Sequence, residues 1–273
     1  MIKVVITGAL GRMGSSIIKT LCENKEDYKV VGAIDMPNHP KKGMDIGELI
    51  GIGNIGVPLE TADNLEKVIK ETKPAVLVDF TAPAPCVNTV KIASENNVNL
   101  VVGTTGFTNE QMEEMKKVIN ENNIGAVISQ NYAIGVNIFF KTLELLAQKI
   151  GDYDIEIVEM HHKFKKDAPS GTALRALEVI QNNLNRDSKA IYGREGLVGE
   201  RTKEEICIHA LRGGDVVGDH TVIFAGDGER LELTHKASSR QAFVSGVVLA
   251  VKYIADKKDG KIYNTFDVLN LNE

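Results

Sequence analysis

Val4-Val5-Ile6-Thr7-Gly8-Ala9-Leu10-Gly11-Arg12-Met13-Gly14 is the stretch whose reading decides the fold. Val4, Val5 and Ile6 form a short apolar run of the kind found in a buried strand. Gly8, Gly11 and Gly14 follow at three-residue spacing, and a helix-compatible segment, Met13 to Leu21, begins among them. Glycines let the chain turn tightly and approach a pyrophosphate, whose charge the N–H groups at the helix start stabilise. A second strand-like run, Lys29 to Ile34, ends on Asp35, placed 21 residues after Gly14 to accept hydrogen bonds from ribose hydroxyls. A glycine-rich turn in any α/β protein would show the same triplet. The flanking strand and helix and the placed acid favour a dinucleotide site built from Gly8, Ala9, Leu10, Gly11, Arg12, Met13 and Asp35.

The alternation continues outward from this unit. Ala75 to Phe80, Leu100 to Gly103 and Ala126 to Ser129 read as strands, with helices over Cys86 to Glu95 and Glu110 to Glu121 between them. Apolar strands alternating with amphipathic helices predict a Rossmann-like parallel sheet covered on both faces. Gly103-Thr104-Thr105-Gly106 lies at the carboxyl end of one of these strands, as a ligand loop or a simple turn. The Gly-, Pro- and Lys-rich stretch Pro37 to Glu60 reads as loop. After Asn131 the rhythm changes: a helix over Asn137 to Lys149, a strand over Asp154 to Met160, and a helix from near Ser170. Runs at Glu205 to Arg212, His220 to Ala225 and Arg230 to Ala237 resemble antiparallel strands. They predict a second, α+β unit with a mixed or antiparallel sheet. The pattern leaves open which unit the helical segment Ala242 to Ile254 joins.

The 273 residues are 43% hydrophobic and 25% charged, with a formal net charge of -5, so no overall electrostatic drive toward nucleic acid or an acidic membrane exists. Cys22, Cys86 and Cys207 show no disulfide or zinc spacing and read as reduced core thiols. With no leader-like segment or membrane span in view, the expected compartment is the cytoplasm.

The segment Glu159 to Leu174 packs two adjacent histidines, His161 and His162, and the lysines Lys163, Lys165 and Lys166 against a helix start. In an extended segment the two imidazoles point opposite ways and take different jobs. Ser170 is a candidate N-cap, leaving the N–H groups of Gly171 and Thr172 as an anion site. A ligand with two carboxylates fits such a helix terminus on one side and His and Lys on the other, and a cationic His or Lys supplies a proton. A solvated basic loop before a capped helix is the competing reading. No third ligand at diagnostic spacing supports a metal, and none is expected.

These segments, with Gly43 to Leu49, Val102 to Phe107, Asn131 to Asn137, Arg212 to His220 and Gly228 to Arg240, resemble the dihydrodipicolinate reductase family over essentially the whole chain. The resemblance implies NAD(P)H-dependent reduction of 4-hydroxy-tetrahydrodipicolinate to tetrahydrodipicolinate with loss of water, in the diaminopimelate route to lysine. It implies His161 as proton donor or acceptor and Lys165 as proton donor. His162, Gly171 and Thr172 would hold substrate carboxylates, and Arg240 would lie near the site. Cofactor contacts would come from Gly8 to Met13, Asp35, Gly103, Thr104, Thr105, Ser129, Gln130, Asn131 and Tyr132. Some relatives place an arginine after the ribose acid to meet the NADPH 2′-phosphate. Met36 stands here, which leans the expectation to NADH or dual use, with Arg12, Lys41 and Lys42 able to offset Asp35. The resemblance further implies a nucleotide domain of residues 1–132 and 242–273, a substrate domain of 133–241, hinged closure, and a homotetramer built through the second domain's sheet. Two other functions fit parts of the sequence: a non-catalytic NAD(P) sensor, against which His161 and Lys165 together argue, and a thiol-dependent semialdehyde dehydrogenase, for which no cysteine is suitably set.

Overall fold

The computed structural model describes residues 1–272, which form two compact units. The chain runs β1 (Ile2–Thr7), α1 (Arg12–Glu23), β2 (Tyr28–Asp35), α2 (Ile46–Ile50), β3 (Leu59–Thr61), α3 (Leu65–Thr72), β4 (Val76–Asp79), α4 (Pro83–Glu95), β5 (Asn99–Val102), α5 (Asn109–Glu121) and β6 (Ala126–Ile128). It continues through α6 (Ile134–Ile150), β7 (Asp154–His161), α7 (Gly171–Asn183), β8 (Lys189–Tyr192), β9 (Glu205–Arg212), β10 (Gly218–Gly226) and β11 (Glu229–Ala237), then α8 (Gln241–Ile254), β12 (Ile262–Tyr263) and α9 (Thr265–Val268).

The first unit is Met1–Ile134 with the chain from Phe243 onward. Its seven strands lie in the order β12-β6-β5-β4-β1-β2-β3, all pairs parallel. Successive side chains of a strand face opposite layers, and here both layers are dry. Val76 and Val78 of β4 join Ile17, Ile18 and Leu21 of α1 and Val247, Val251 and Ile254 of α8 on one side. Leu77 joins Ile69 of α3, Val90 of α4 and Ile119 of α5 on the other. The strand order reverses direction between β1 and β4, so the loops after these strands diverge and leave an edge where ligands bind in such sheets. The α8 segment, whose partner the sequence left open, packs in this unit: a Cβ on Gly246 would stand 1.7 Å from the Tyr132 carbonyl oxygen.

The second unit, Gly135–Ala242, holds a five-stranded sheet of order β11-β10-β7-β9-β8. β7 alternates, with Ile155, Ile157 and Glu159 buried and Glu156, Val158 and Met160 only partly covered. The buried face continues through Ile206 and Ile208 of β9 and Val222 and Phe224 of β10, set beside β7 by the strand register. α7 closes this face with Ala173, Ala176, Leu177 and Ile180.

Three expectations change. The Glu205 to Arg212 run is not antiparallel: β9 pairs parallel to both β7 and β8, so the sheet is mixed, and α7 supplies the crossover that a parallel connection needs. The Pro37 to Glu60 stretch is not all loop, because Asp45 caps α2 and binds the N–H groups of Gly47, Glu48, Ile55 and Val57, and β3 extends the sheet beside β2. The strands β8 and β12 also form in stretches without alternation. Among the described residues, no helix is long and apolar enough to cross a membrane.

Candidate active site

The glycine loop is held closed by contacts that admit no side chain. A Cβ on Gly14 would lie 2.1 Å from Gly8 O, and one on Gly8, at φ +70, would lie 2.5 Å from Phe80 O. α1 follows Gly11, its N-cap, which provides no side-chain hydrogen bond and leaves the first N–H groups of the helix to a ligand. Asp35 sits at the end of β2 and does two things: Oδ2 accepts from Leu10 N at 2.8 Å, fixing the loop, and Oδ1 accepts from Met36 N at 2.8 Å.

Beside the loop, the carboxylate of Asp79 is fully buried at the end of β4. Thr7 and Thr104 donate to it at 2.6 and 2.7 Å, and the Thr81 hydroxyl at 2.9 Å. Thr81 N in turn donates to Thr104 Oγ1 at 2.8 Å. One carboxylate therefore ties together the ends of β1, β4 and β5, from which the nucleotide loops depart. Burial, reinforced by Asp79, pushes the Cys86 thiol far up, so it is an inert neighbour. Gly103 is required by Phe80, whose ring would stand 2.1 Å from an added Cβ. After β6, Thr265 of α9 donates to Ser129 Oγ at 2.6 Å and to Asn131 O at 3.0 Å. The buried Tyr132 hydroxyl donates to Val102 O and Val127 O at 2.8 and 3.0 Å. Thr104 and Tyr132 thus turn their side chains inward, whereas Thr105 and Gln130 are exposed.

In the second unit, the organising group is Glu159 on β7, with no exposed surface. Arg212 clamps it through two hydrogen bonds of 2.9 Å, Ser170 N donates to Oε1 at 3.0 Å, and His161 Nδ1 lies 2.6 Å from Oε2. Burial alone would raise the carboxyl's pKa. The Arg212, His161 and Ser170 bonds outweigh it and hold the carboxyl below its ordinary range. Ser170 Oγ caps α7 through Ala173 N at 3.2 Å and meets His220 Nε2 at 3.0 Å. His220 is buried, its ring edge-on to His161 at 5.2 Å. Burial first, then the neighbouring His161, depresses its pKa to about 4, so it is neutral near pH 7. No atom lies within 4 Å of a Cβ built on Gly171, leaving open space over the first N–H groups of α7. Lys165 Nζ contacts both oxygens of Asp167, at 3.0 and 2.9 Å. His162 lies near Phe164, with Nδ1 buried and unpartnered among the described groups.

Among the predicted residues, His161, Gly171 and Thr172 converge through Glu159 and Ser170, and Gly8 to Met13 converge with Asp35. Arg240 follows β11 and is exposed. Sequence reasoning missed the roles of Glu159, Arg212, His220 and Asp79. Arg212 and His220 lie 53 and 61 residues from Glu159 in sequence, and only strand register brings them together. Elsewhere on the sheet, Glu156, Cys207 and His209 come within 4.8 Å of one another, but Arg194 and Arg201 already hold Glu156, leaving a set of ion pairs.

A parallel-sheet unit with an uncapped glycine loop, followed by a unit presenting a carboxylate-set histidine beside an open helix terminus, defines a two-domain nucleotide-dependent oxidoreductase. Residues 2–132 and 135–269 match the family models described as the N-terminus and C-terminus of dihydrodipicolinate reductase, and the chain belongs to that family. It is 96% identical over its full length, and that of the relative, to 4-hydroxy-tetrahydrodipicolinate reductase of Methanococcus aeolicus. It is 74% identical to that of Methanocaldococcus jannaschii, over 100% of this chain and 99% of the relative. Among solved structures it is similar to dipicolinate-bound dihydrodipicolinate reductase of Paenisporosarcina sp. TG-14, with a TM-score of 0.80, 29% identity and 98% of each chain covered. Its fold is also that of scyllo-inositol dehydrogenase of Lactobacillus casei, at a TM-score of 0.60 and 15% identity over 99% and 94% of the two chains.

Proposed function

We propose that the chain catalyses the NAD(P)H-dependent reduction of 4-hydroxy-tetrahydrodipicolinate to tetrahydrodipicolinate with loss of water, in the diaminopimelate route of lysine biosynthesis. The observation that carries this reading is the pairing of His161, set by a buried carboxylate, with the open N-terminus of α7. The nicotinamide, when bound, supplies the hydride. Arg12 and Met13 offer the backbone N–H groups at the start of α1 to the dinucleotide's pyrophosphate, over the tight turn formed by Gly8, Ala9, Leu10 and Gly11, which a Cβ on Gly14 would break open. Asp35 faces the adenosine ribose, with Gly103 to Thr105 and Ser129 to Tyr132 lining the nicotinamide side mainly through backbone.

The N–H groups of Gly171 and Thr172 hold one substrate carboxylate, and His162 assists. His161, its Nδ1 turned to Glu159, exchanges a proton at Nε2, and the Lys165 ammonium, freed from Asp167, donates a proton. The expected result is that His161→Gln and Lys165→Ala each lower kcat at least about a hundredfold with cofactor affinity nearly unchanged. NADH absorbance followed with the cyclic substrate measures this, and full turnover in the double variant removes both roles.

The acid at position 35, with the uncharged Met36 after it, supports NADH as the better cofactor. Lys42 is engaged by Glu60 at 3.5 Å, and exposed Arg12 and Lys41 leave NADPH usable. Initial rates with both cofactors decide it, and a strong NADPH preference overturns the assignment. A homotetramer is supported by the open sheet face bearing Val158, Met160, Leu211 and Ile223. Free thiols at Cys22, Cys86 and Cys207 support a cytoplasmic location.

A further inference from the structure

We infer that Glu159 is a positioning residue that sets His161 and the α7 anion site with one buried carboxylate. This rests on the reading of His161 as the proton-transfer group. Three facts carry it. Oε2 meets His161 Nδ1 at 2.6 Å, Oε1 accepts from Ser170 N at 3.0 Å, and Arg212 bridges both oxygens at 2.9 Å. The histidine and the start of α7 are therefore spaced by the width of a single carboxylate, which Arg212 prevents from rotating.

The proton chemistry follows from this bonding. An ionised carboxylate only accepts, so Nδ1 of neutral His161 must carry the hydrogen, and Nε2 is the nitrogen left to exchange a proton. Nε2 lies 3.0 Å from where a Cβ on Gly218 would stand, so glycine at the start of β10 keeps this nitrogen uncrowded. The charged and titratable groups around His161 are Glu159 on its own strand, Arg212 on β9 and His220 on β10, with Lys165 and His235 also acting on His220. Glu159 is the acceptor that fixes the tautomer. Without it, His161 is free to take its Nδ1 lone-pair form, and Ser170 N, at the first turn of α7, loses its partner.

In the whole enzyme, Glu159→Gln is expected to lower kcat about thirtyfold or more and to raise the KM for the dicarboxylate severalfold, because both functions hang on the same side chain. The KM for NADH stays within about twofold, since no residue of the glycine loop is touched. Nitrogen-15 NMR of histidine-labelled wild-type enzyme reads the tautomer directly and does not depend on whether the variant folds. A neutral His161 protonated at Nδ1 supports the inference, and protonation at Nε2 overturns it. In Glu159→Gln, a tautomer population and kcat like those of wild type also overturn it. If His161→Gln itself retains full turnover, the role of His161 fails instead, and the NMR result still reports on the positioning.

Discussion

At the scale of single residues, the second unit concentrates its cost in groups that water would stabilise better. Glu159 offsets that cost with three partners, but His220 has only Ser170, its Nδ1 being buried and unpaired among the described groups. The consequence is a pH dependence of definite sign. With a native pKa of about 4 against an ordinary 6.5, folded His220 refuses the proton that the unfolded chain accepts. Its contribution is therefore fully present above pH 6.5 and falls away toward pH 4, by on the order of 2 kcal/mol at pH 5. Glu159, held low, loses stability in the same direction once the pH drops below its ordinary value of 4.5. Urea unfolding at pH 7.5 and pH 5 is expected to show a smaller pH-dependent loss for His220→Gln than for wild type. Equal losses remove His220 as a source. The histidine pair and the cap at Ser170 were legible in sequence because they are neighbours along the chain. Glu159 stood in the same segment without a visible role, since its partners arrive from two other strands.

At the scale of elements, α8 shows how a helix is fixed by its surroundings. Asn99, at the start of β5, is fully buried; its amide donates to Ile254 O and Ala255 O at 2.6 and 3.1 Å and accepts from Gly125 N at 3.0 Å. The last carbonyls of α8 are thus satisfied inside the sheet unit. Asn99→Ala is expected to cost roughly 2–4 kcal/mol, because buried groups lose their partners without gaining water. A chemical-denaturation midpoint unchanged from wild type would falsify this. Helices and strands with strong periodicity were readable. α2 was hidden because Asp45 gathers N–H groups from both Gly47–Glu48 and the more distant Ile55 and Val57, and β3 because its three residues form only by pairing with β2, neither leaving a local composition signal. The parallel setting of β9 was unreadable because its alternation is the same in either direction.

At the scale of the whole molecule, the proposed homotetramer rests on the open face of the mixed sheet, which bears Val158, Met160, Leu211 and Ile223. Leu211→Glu with Ile223→Glu places charge on it without touching the buried face. Sedimentation velocity is expected to find wild type at four times the 29.7 kDa chain and the variant at smaller species with unchanged circular dichroism. A wild-type monomer, or a variant that stays tetrameric, sets this face aside. The first unit carries a different consequence, for biosynthesis. Its wall opposite α3, α4 and α5 is finished only by α8, and its sheet edge only by β12, both encoded after the entire second unit. A ribosome releasing the chain in order leaves the wall's apolar cluster without Val244, Val247, Val251 and Ile254 while the intervening hundred or so residues are made. The inserted unit can close on its own sequence during that interval, so the nucleotide unit matures second although it begins first.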